Sequence, residues 1–215
     1  MVARMTLALV PLRSPGHGKT RLRGVLSTER RAELAGAMLA DVIAALRAAE
    51  LPRIVVAASG PAAAAAASAL DVEVVLDPPS VDGLNAAIDA ASRQLGPLEG
   101  LLVVAADLPR LTAVDVTAVL DNDAEVVVAP TRGGGTGGLL RRPGDRIPTA
   151  YGTGSAEHHL TLARQAGASS ATVHTAGFAA DVDTERDLAG LRDGALGTAT
   201  SRWAARWAER IDAAS

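Results

Sequence analysis

Short apolar runs alternate with longer amphipathic stretches along most of this chain. Met5 to Leu12 is a continuous apolar run, closed by Pro11 and then by Pro15-Gly16. An unbroken run of that length predicts a strand buried on both faces, as in a parallel sheet. Ser27 then opens a helical pattern, with Glu29 and Glu33 early and Leu34, Met38, Val42 and Leu46 at helical spacing, ended by Pro52. Arg53 to Ser59 predicts a second strand, Pro61 to Leu70 an alanine-rich helix, and Val72 to Leu76 a third strand. After a loop at Asp77-Pro78-Pro79-Ser80, Gly83 to Leu95 predicts a helix. Leu101 to Ala106 is the most apolar strand and the expected centre of the sheet. Thr112 to Leu120 follows as a helix and Glu125 to Pro130 as a fifth strand.

The pattern loosens after Pro130. Arg132 to Gly138 is glycine-rich, and Leu139 to Arg142 predicts only a short strand. Ser155 to Gly167 is helical, Ala171 to Thr175 a strand, and Asp181 to Asp183 lies at or after another strand end. Thr184 caps a helix through Leu191, and a last helix runs from Thr198 to Ile211. Strands alternating with helices in this way predict an α/β fold, a three-layer α/β/α sandwich around a mostly parallel sheet. The 215 residues suit a single domain, with a core over about 5–193 and a C-terminal helix over about 198–213.

Composition narrows the function. Four aromatic residues leave no stacking platform for bases, and a net charge of -3 gives no basic footprint, so nucleic acid is not an expected partner. The absence of cysteine excludes a thiolate metal site and a cysteine nucleophile. No apolar run reaches the roughly 18 residues of a membrane span, and the N-terminal residues do not read as a signal peptide. The cytoplasm is the expected location. Of the 21 basic residues, Lys19 is the only lysine. In a chain whose arginine and alanine content has the look of codon bias, a surviving lysine hints that a compact ammonium matters there.

In open α/β sheets, ligands bind beyond the carboxyl ends of the strands. Four features fall there: the loop at 13–21, Asp82 to Asn85, Asp107 to Pro109, and the segment around Asp183. Gly18-Lys19-Thr20 suggests a phosphate-binding P-loop, but that motif needs glycine where this chain has Arg13. A glycine-rich turn flanked by Arg13, Lys19 and Arg21 still suits a polyphosphate, unless it is a solvated loop. Asp107-Leu108-Pro109 places a carboxylate at a rigid strand end, fit for Mg²⁺, although Asp-x-Pro is also ordinary turn chemistry. Asp181 and Asp183, if on a strand, face one side and approach a metal together. Asp183-Thr184 also reads as a plain helix N-terminus. Gly133 to Gly138 permits close approach of a ligand or forms a flexible loop. Tyr151-Gly152-Thr153-Gly154-Ser155 precedes a helix that Ser155 can cap, and its N–H groups can receive an anion. His158 and His159 are adjacent, not four apart, and suggest no metal pair. Trp203 and Trp207, one turn apart, serve either as a homodimer contact or as packing. No Gly-x-Ser-x-Gly elbow is present.

The order of these motifs carries more than any one. Pro11-Leu12-Arg13, Gly18-Lys19-Thr20-Arg21-Leu22, Met38-Leu39-Ala40-Asp41, Gly83-Leu84-Asn85, Asp107-Leu108-Pro109, Gly135-Thr136, Gly152 with Ser155, and Asp181-Val182-Asp183-Thr184 follow in turn. The series resembles the guanylyltransferases of coenzyme F420 biosynthesis, which act on 2-phospho-L-lactate or phosphoenolpyruvate. The resemblance runs from about residue 5 to 190. It implies a GT-A-like nucleotidyltransferase fold, Mg²⁺ as cofactor, and two substrates, GTP and a phosphorylated three-carbon acid (2-phospho-L-lactate, phosphoenolpyruvate or 3-phosphoglycerate). The alternatives are another small-molecule nucleotidyltransferase of the superfamily, of molybdenum-cofactor or sugar-phosphate type, and a non-catalytic nucleotide-binding relative. By the same resemblance Arg13, Lys19 and Arg21 hold the triphosphate, and Gly83 and Asn85 lie along the nucleoside. Asp107 and Asp183 bind the metal, and Thr136, Gly152 and Ser155 hold the acid. Lys19, Arg13 and Asp107 are then the catalytic set. The chain departs from the family at Gly18 and at Gly137-Gly138. The implied chemistry is attack by the acid's phosphate on the α-phosphorus of GTP, with no general base required.

Overall fold

A computed structural model describes residues 6–13 and 19–212, the side chains of Thr20 and of 209–212 excepted. Met5, the turn expected at 14–18 with its His17, and the end of the chain lie outside the described residues. Among the described residues seven strands form one sheet: β1 (Thr6–Leu12), β2 (Arg53–Ala58), β3 (Glu73–Leu76), β4 (Gly100–Val104), β5 (Val126–Pro130), β6 (Thr136–Arg141) and β7 (Ser170–Thr172). Their order is β3-β2-β1-β4-β6-β5-β7. Only β6 is antiparallel to its neighbours, β4 and β5. The helices are α1 (Thr28–Ala48), α2 (Pro61–Ser68), α3 (Leu84–Leu95), α4 (Ala113–Leu120), α5 (Ser155–Gln165), α6 (Glu185–Ala189) and α7 (Thr198–Asp212).

Side chains alternate between the faces of a strand, and the two faces of this sheet build two separate cores. Ala8, Val10 and Leu12 of β1 and Leu102 and Val104 of β4 pack with Leu39, Val42 and Leu46 of α1 and Val116 and Val119 of α4. Leu7 and Leu9 of β1 and Leu101 and Val103 of β4 pack on the opposite face with Ile88 of α3 and Ala163 of α5. This is the expected three-layer sandwich. The central strands β1 and β4 are buried on both faces, which explains their unbroken apolar runs. No helix among the described residues is long and apolar enough to cross a membrane.

A third apolar cluster sits at the end of α1. Leu22, Leu26, Leu34 and Met38 meet Val182, Leu188, Leu191 and Trp203 there. Trp203 is buried against α1 and stacks on Trp207, with ring centroids 5.6 Å apart. Packing of α7 on the body thus accounts for Trp203. Asp41, in the middle of α1, accepts hydrogen bonds from the backbone N–H groups of Ala199 and Thr200, both at 2.8 Å. An α1 carboxylate therefore satisfies the free donors that open α7.

Two expectations are corrected. Asp181 to Asp183 lies in irregular backbone and not at the end of a strand, the preceding strand having ended at Thr172. The glycine run is no open loop at its end: β6 begins at Thr136, so Gly137 and Gly138 are sheet residues. Their missing side chains make room for Phe178, the chain's one phenylalanine. A Cβ on Gly137 would lie 2.6 Å from the Phe178 carbonyl oxygen, and one on Gly138 would lie 2.6 Å from its ring. Close packing in the fold, not approach of a ligand, uses these two glycines.

Because the atom facing Gly137 is backbone, it cannot swing aside. Gly137→Ala is expected to destabilise the fold by about 1–3 kcal/mol, the usual cost of overpacking. Equilibrium urea unfolding reads this as a lower midpoint. A midpoint equal to the wild type would contradict the packing role.

Candidate active site

The carboxyl ends of β1 and β4 and the start of the reversed β6 meet at one edge of the sheet. Val104 pairs with Gly138, and the Ala105 N–H donates to the Gly137 carbonyl at 2.9 Å. That reversal sets Thr136 beside the segment leading to Asp107. A cavity of about 360 Å³ opens over this edge. Arg13, Lys19, Asp107, Thr136, Gly152, Ser155 and Asp183 all line it. Sequence positions spread over most of the chain are thus gathered around one space.

Lys19 is at the centre of the charged part. Its ammonium donates to Asp107 Oδ2 and, at 2.9 Å, to Asp183 Oδ1. Burial disfavours its charge, but the Asp107 carboxylate, and after it Asp183, more than offsets that cost and holds its pKa above the usual lysine value. Local structure aims each partner. Lys19 has φ of 53°, a left-handed turn residue whose carbonyl accepts from the Leu22 N–H at 2.9 Å. Leu22 is then buried in the third cluster. The Asp107 carbonyl accepts from the Val182 N–H at 3.3 Å. Asp183 precedes a capping box in which Thr184 and Asp187 bind each other's backbone N–H groups, and its own N–H donates to Asp187 Oδ2 at 3.1 Å. The helix-cap reading of Asp183-Thr184 therefore holds, and beside the capping threonine the aspartate points at Lys19. Asp181 also lines the cavity. Burial raises its pKa, with further contributions from the Asp107 and Asp183 charges.

The donor set suits a divalent ion. Two carboxylates from separate segments converge on one cationic nitrogen. Magnesium typically takes one or two carboxylates and completes its shell with water and substrate phosphates. Among the described residues no group of three or more acidic or histidine side chains forms a closed metal cage. Asp107 and Asp183 are the residues that would hold such an ion.

The other wall is uncharged and tightly bonded. Thr136 Oγ1 lies 2.9 Å from Ser155 Oγ and 3.1 Å from His159 Nδ1, and all three residues are buried. His159 Nε2 accepts from the Ala150 N–H at 3.1 Å. Ser155 does not cap α5. Gly154, with φ of 68°, is the N-cap, and Ser155 is already helical, so its hydroxyl is free to turn toward Thr136. The Ser155 and Ala156 N–H groups bond to the Gly152 and Gly134 carbonyls at 3.1 and 3.3 Å. The helix entry is thus partly satisfied from within. Gly152, at φ of 151°, holds a backbone conformation that side chains disfavour.

Arg21 is exposed on the turn after Lys19 and, like Gly83 and Asn85, is outside the cavity lining. Leu84 between the latter two does line it. The Asn85 amide brackets the Tyr151 backbone, donating to its carbonyl at 3.0 Å and accepting from its N–H at 2.7 Å. Its evident work here is to pin the Tyr151–Gly152 segment. Arg31 and His159 are polar residues at the cavity that the sequence motifs do not mark as part of a site. Arg31 is a buried α1 guanidinium on the cavity wall, donating to the Leu26 carbonyl at 2.9 Å. His159 stands four residues after Ser155, the spacing that puts two helical side chains on one face.

Burial, and after it the positive charges of Arg141 and His158, lower the His159 pKa to about 4. A folded-state value below the ordinary 6.5 means that the unfolded chain binds the proton more readily. The stabilising contribution is therefore complete above about pH 6.5 and is lost as pH falls toward 4. His159→Asn lacks this titration. Urea midpoints of the wild type should fall more steeply than those of His159→Asn between those pH values, and parallel curves would contradict a neutral buried His159.

The chain matches known proteins along most of its length. The family model for CofC-like guanylyl transferases matches residues 6–203. A phosphoenolpyruvate guanylyltransferase of Conexibacter woesei is 36% identical over 197 residues, covering 87% of each chain. A 2-phospho-L-lactate guanylyltransferase of Methanosphaerula palustris is 34% identical over 186 residues, covering 86% of this chain and 83% of that one. The fold is shared with a solved nucleotidyl transferase of Methanothermobacter thermautotrophicus, with a TM-score of 0.63 at 15% identity over 88% of this chain and 96% of that one. With a matching model that spans nearly all of the fold, and relatives above a third identical along most of their length, the chain belongs to the CofC-like guanylyl transferase family.

Proposed function

We propose that this enzyme joins GMP from GTP to the phosphate of phosphoenolpyruvate or 2-phospho-L-lactate and releases pyrophosphate. The observation that carries the reading is one cavity that joins a cation-binding carboxylate pair, with Lys19 and Arg13, to a wall of buried hydroxyls. The first group suits a polyphosphate and the second a small anionic acid. Both relatives' substrates are acids of that kind, and the pathway implied by the family resemblance is coenzyme F420 biosynthesis.

The acid's phosphate monoester is largely a dianion at neutral pH, since its second pKa is about 6. One of its oxygens forms a bond to the α-phosphorus of GTP, and the bond from that phosphorus to the α–β bridging oxygen breaks, that oxygen leaving as a terminal oxygen of pyrophosphate. No proton needs to be removed from the nucleophile, so the site works without a general base. The protein's task is to bring two anions together and to neutralise charge as it moves onto the leaving group. Arg13 and Lys19 supply fixed cations on the cavity wall. In the structure its carboxylate neighbours favour the Lys19 ammonium. Mg²⁺ held by Asp107 and Asp183 would add Lewis-acid neutralisation of the phosphate oxygens. Thr136, Ser155 and the Gly152 segment line the place for the acid.

The direct test measures pyrophosphate release with GTP, ATP, CTP and UTP, each crossed with phosphoenolpyruvate, 2-phospho-L-lactate, 3-phosphoglycerate and sugar phosphates. Release is expected with GTP only when one of the three-carbon acids is present. Release from GTP alone would instead indicate hydrolysis, and release only with sugar phosphates would overturn the acid assignment. Asp107→Asn, which keeps the side-chain shape, should lower kcat by about 10²–10³-fold with little change in thermal midpoint. Turnover at the wild-type rate would remove Asp107 from the machinery.

A further inference from the structure

We propose that His159 is a positioning residue that fixes which way the Thr136 and Ser155 hydroxyl hydrogens point, and thereby leaves one O–H donor for an anionic oxygen of the acid substrate. The inference rests on the proposed acid site and adds to it a residue that does not itself line the cavity.

The argument is a count of hydrogens. Thr136 and Ser155 carry one hydroxyl hydrogen each, and their oxygens are 2.9 Å apart, so one of the two hydrogens is used between them. The second is free to reach the cavity only if His159 does not take it. Thr136 Oγ1 is 3.1 Å from His159 Nδ1, and the tautomer decides the direction of that bond. With the proton on Nδ1, the imidazole donates to Thr136. Whichever hydroxyl then donates to the other, one hydrogen remains, and both residues line the cavity. With the proton on Nε2, the imidazole accepts from Thr136, Ser155 must donate to Thr136, and no hydrogen remains for a ligand.

The fold selects between these states. Ala150 presents a backbone N–H to His159 Nε2 at 3.1 Å, and a backbone donor cannot be turned round. Nε2 must therefore be the unprotonated nitrogen and Nδ1 the donor. A doubly protonated ring would set two donors against each other at Nε2. The ring has no room to flip away: His159 is fully buried, and Tyr151 packs edge-on with centroids 5.1 Å apart. The result is a chain of donors running from Ala150 through His159 and the hydroxyl pair into the cavity. Its free end suits a carboxylate or phosphate oxygen, which accepts and never donates.

Two substitutions separate this role from simple packing. Asparagine places its amide where Nδ1 stands and can still donate to Thr136. Glutamine places its amide where Nε2 stands and keeps only the Ala150 bond. His159→Gln should raise the acid KM by about ten- to a hundredfold, the range for losing a hydrogen bond to a charged group. His159→Asn should stay within about threefold of the wild type, and the GTP KM should hold in both. An unchanged acid KM in His159→Gln, an equal rise in both variants, or a GTP KM rising in step would each overturn the proposal. ¹⁵N NMR of the wild-type imidazole reads the tautomer without any substitution: a protonated Nδ1 supports the proposal and a protonated Nε2 overturns it. A wild type that releases pyrophosphate with no acid would overturn the proposed function and this inference together. A wild type that turns over while His159→Gln keeps its acid KM overturns this inference alone.

Discussion

One ammonium between two carboxylates organises this site. Lys19 reaches Asp107 and Asp183, which are 88 and 164 residues away along the chain. Taking such charges out of water is costly, and a part-buried pair is a poor source of net stability. The burial of Leu22 and Val182 in the cluster beside α1 offsets that cost by docking the two segments that carry Lys19 and Asp183. Apolar packing thus holds the charges together, and the charges define where a cation can sit. The interaction reads as a functional constraint that the fold sustains, rather than as a strut that holds the fold.

The reversed strand β6 does the corresponding work for the uncharged wall. Running antiparallel beside β4, it starts at the edge where β4 ends, which brings Thr136 into the cavity instead of leaving it at the far side of the sheet. At its start Gly137 and Gly138 leave space for Phe178. From Thr136 the wall continues through Ser155 to His159 on α5, and Asn85 pins the Tyr151–Gly152 segment that closes it. The ends of β1 and β4, the start of β6 and residues of α1, α3 and α5 therefore all contribute.

Most of the layer architecture was legible in the sequence, because strands buried on both faces must be apolar without interruption. Met5–Leu12 and Leu101–Ala106 show that plainly, and Asp107 was marked by its place just past the second of them. Lys19 stood out as one lysine among arginines. The beginning of β6 was not legible. A glycine run has no side-chain period, and the Phe178 that explains it lies 40 residues on. The irregular backbone of 181–183 was hidden for the opposite reason: alternating aspartates imitate a strand that tertiary contacts do not form. His159 was obscured by its neighbour, since the adjacent His158-His159 pair masks the four-residue spacing from Ser155 to His159. Asn85 and Arg21 show a further limit. Motif order located both segments, but only the fold reveals that the Asn85 amide holds backbone and that Arg21 is turned to the surface.

The central claim is that the acid's own phosphate oxygen attacks the α-phosphorus of GTP within this cavity. Labelling the acid's phosphate oxygens with ¹⁸O and weighing the products by mass spectrometry tests that directly. The account predicts that all of the label remains in the guanylylated acid and that the pyrophosphate carries none. Labelled pyrophosphate, or a guanylylated product that has lost acid-derived oxygen, would contradict it.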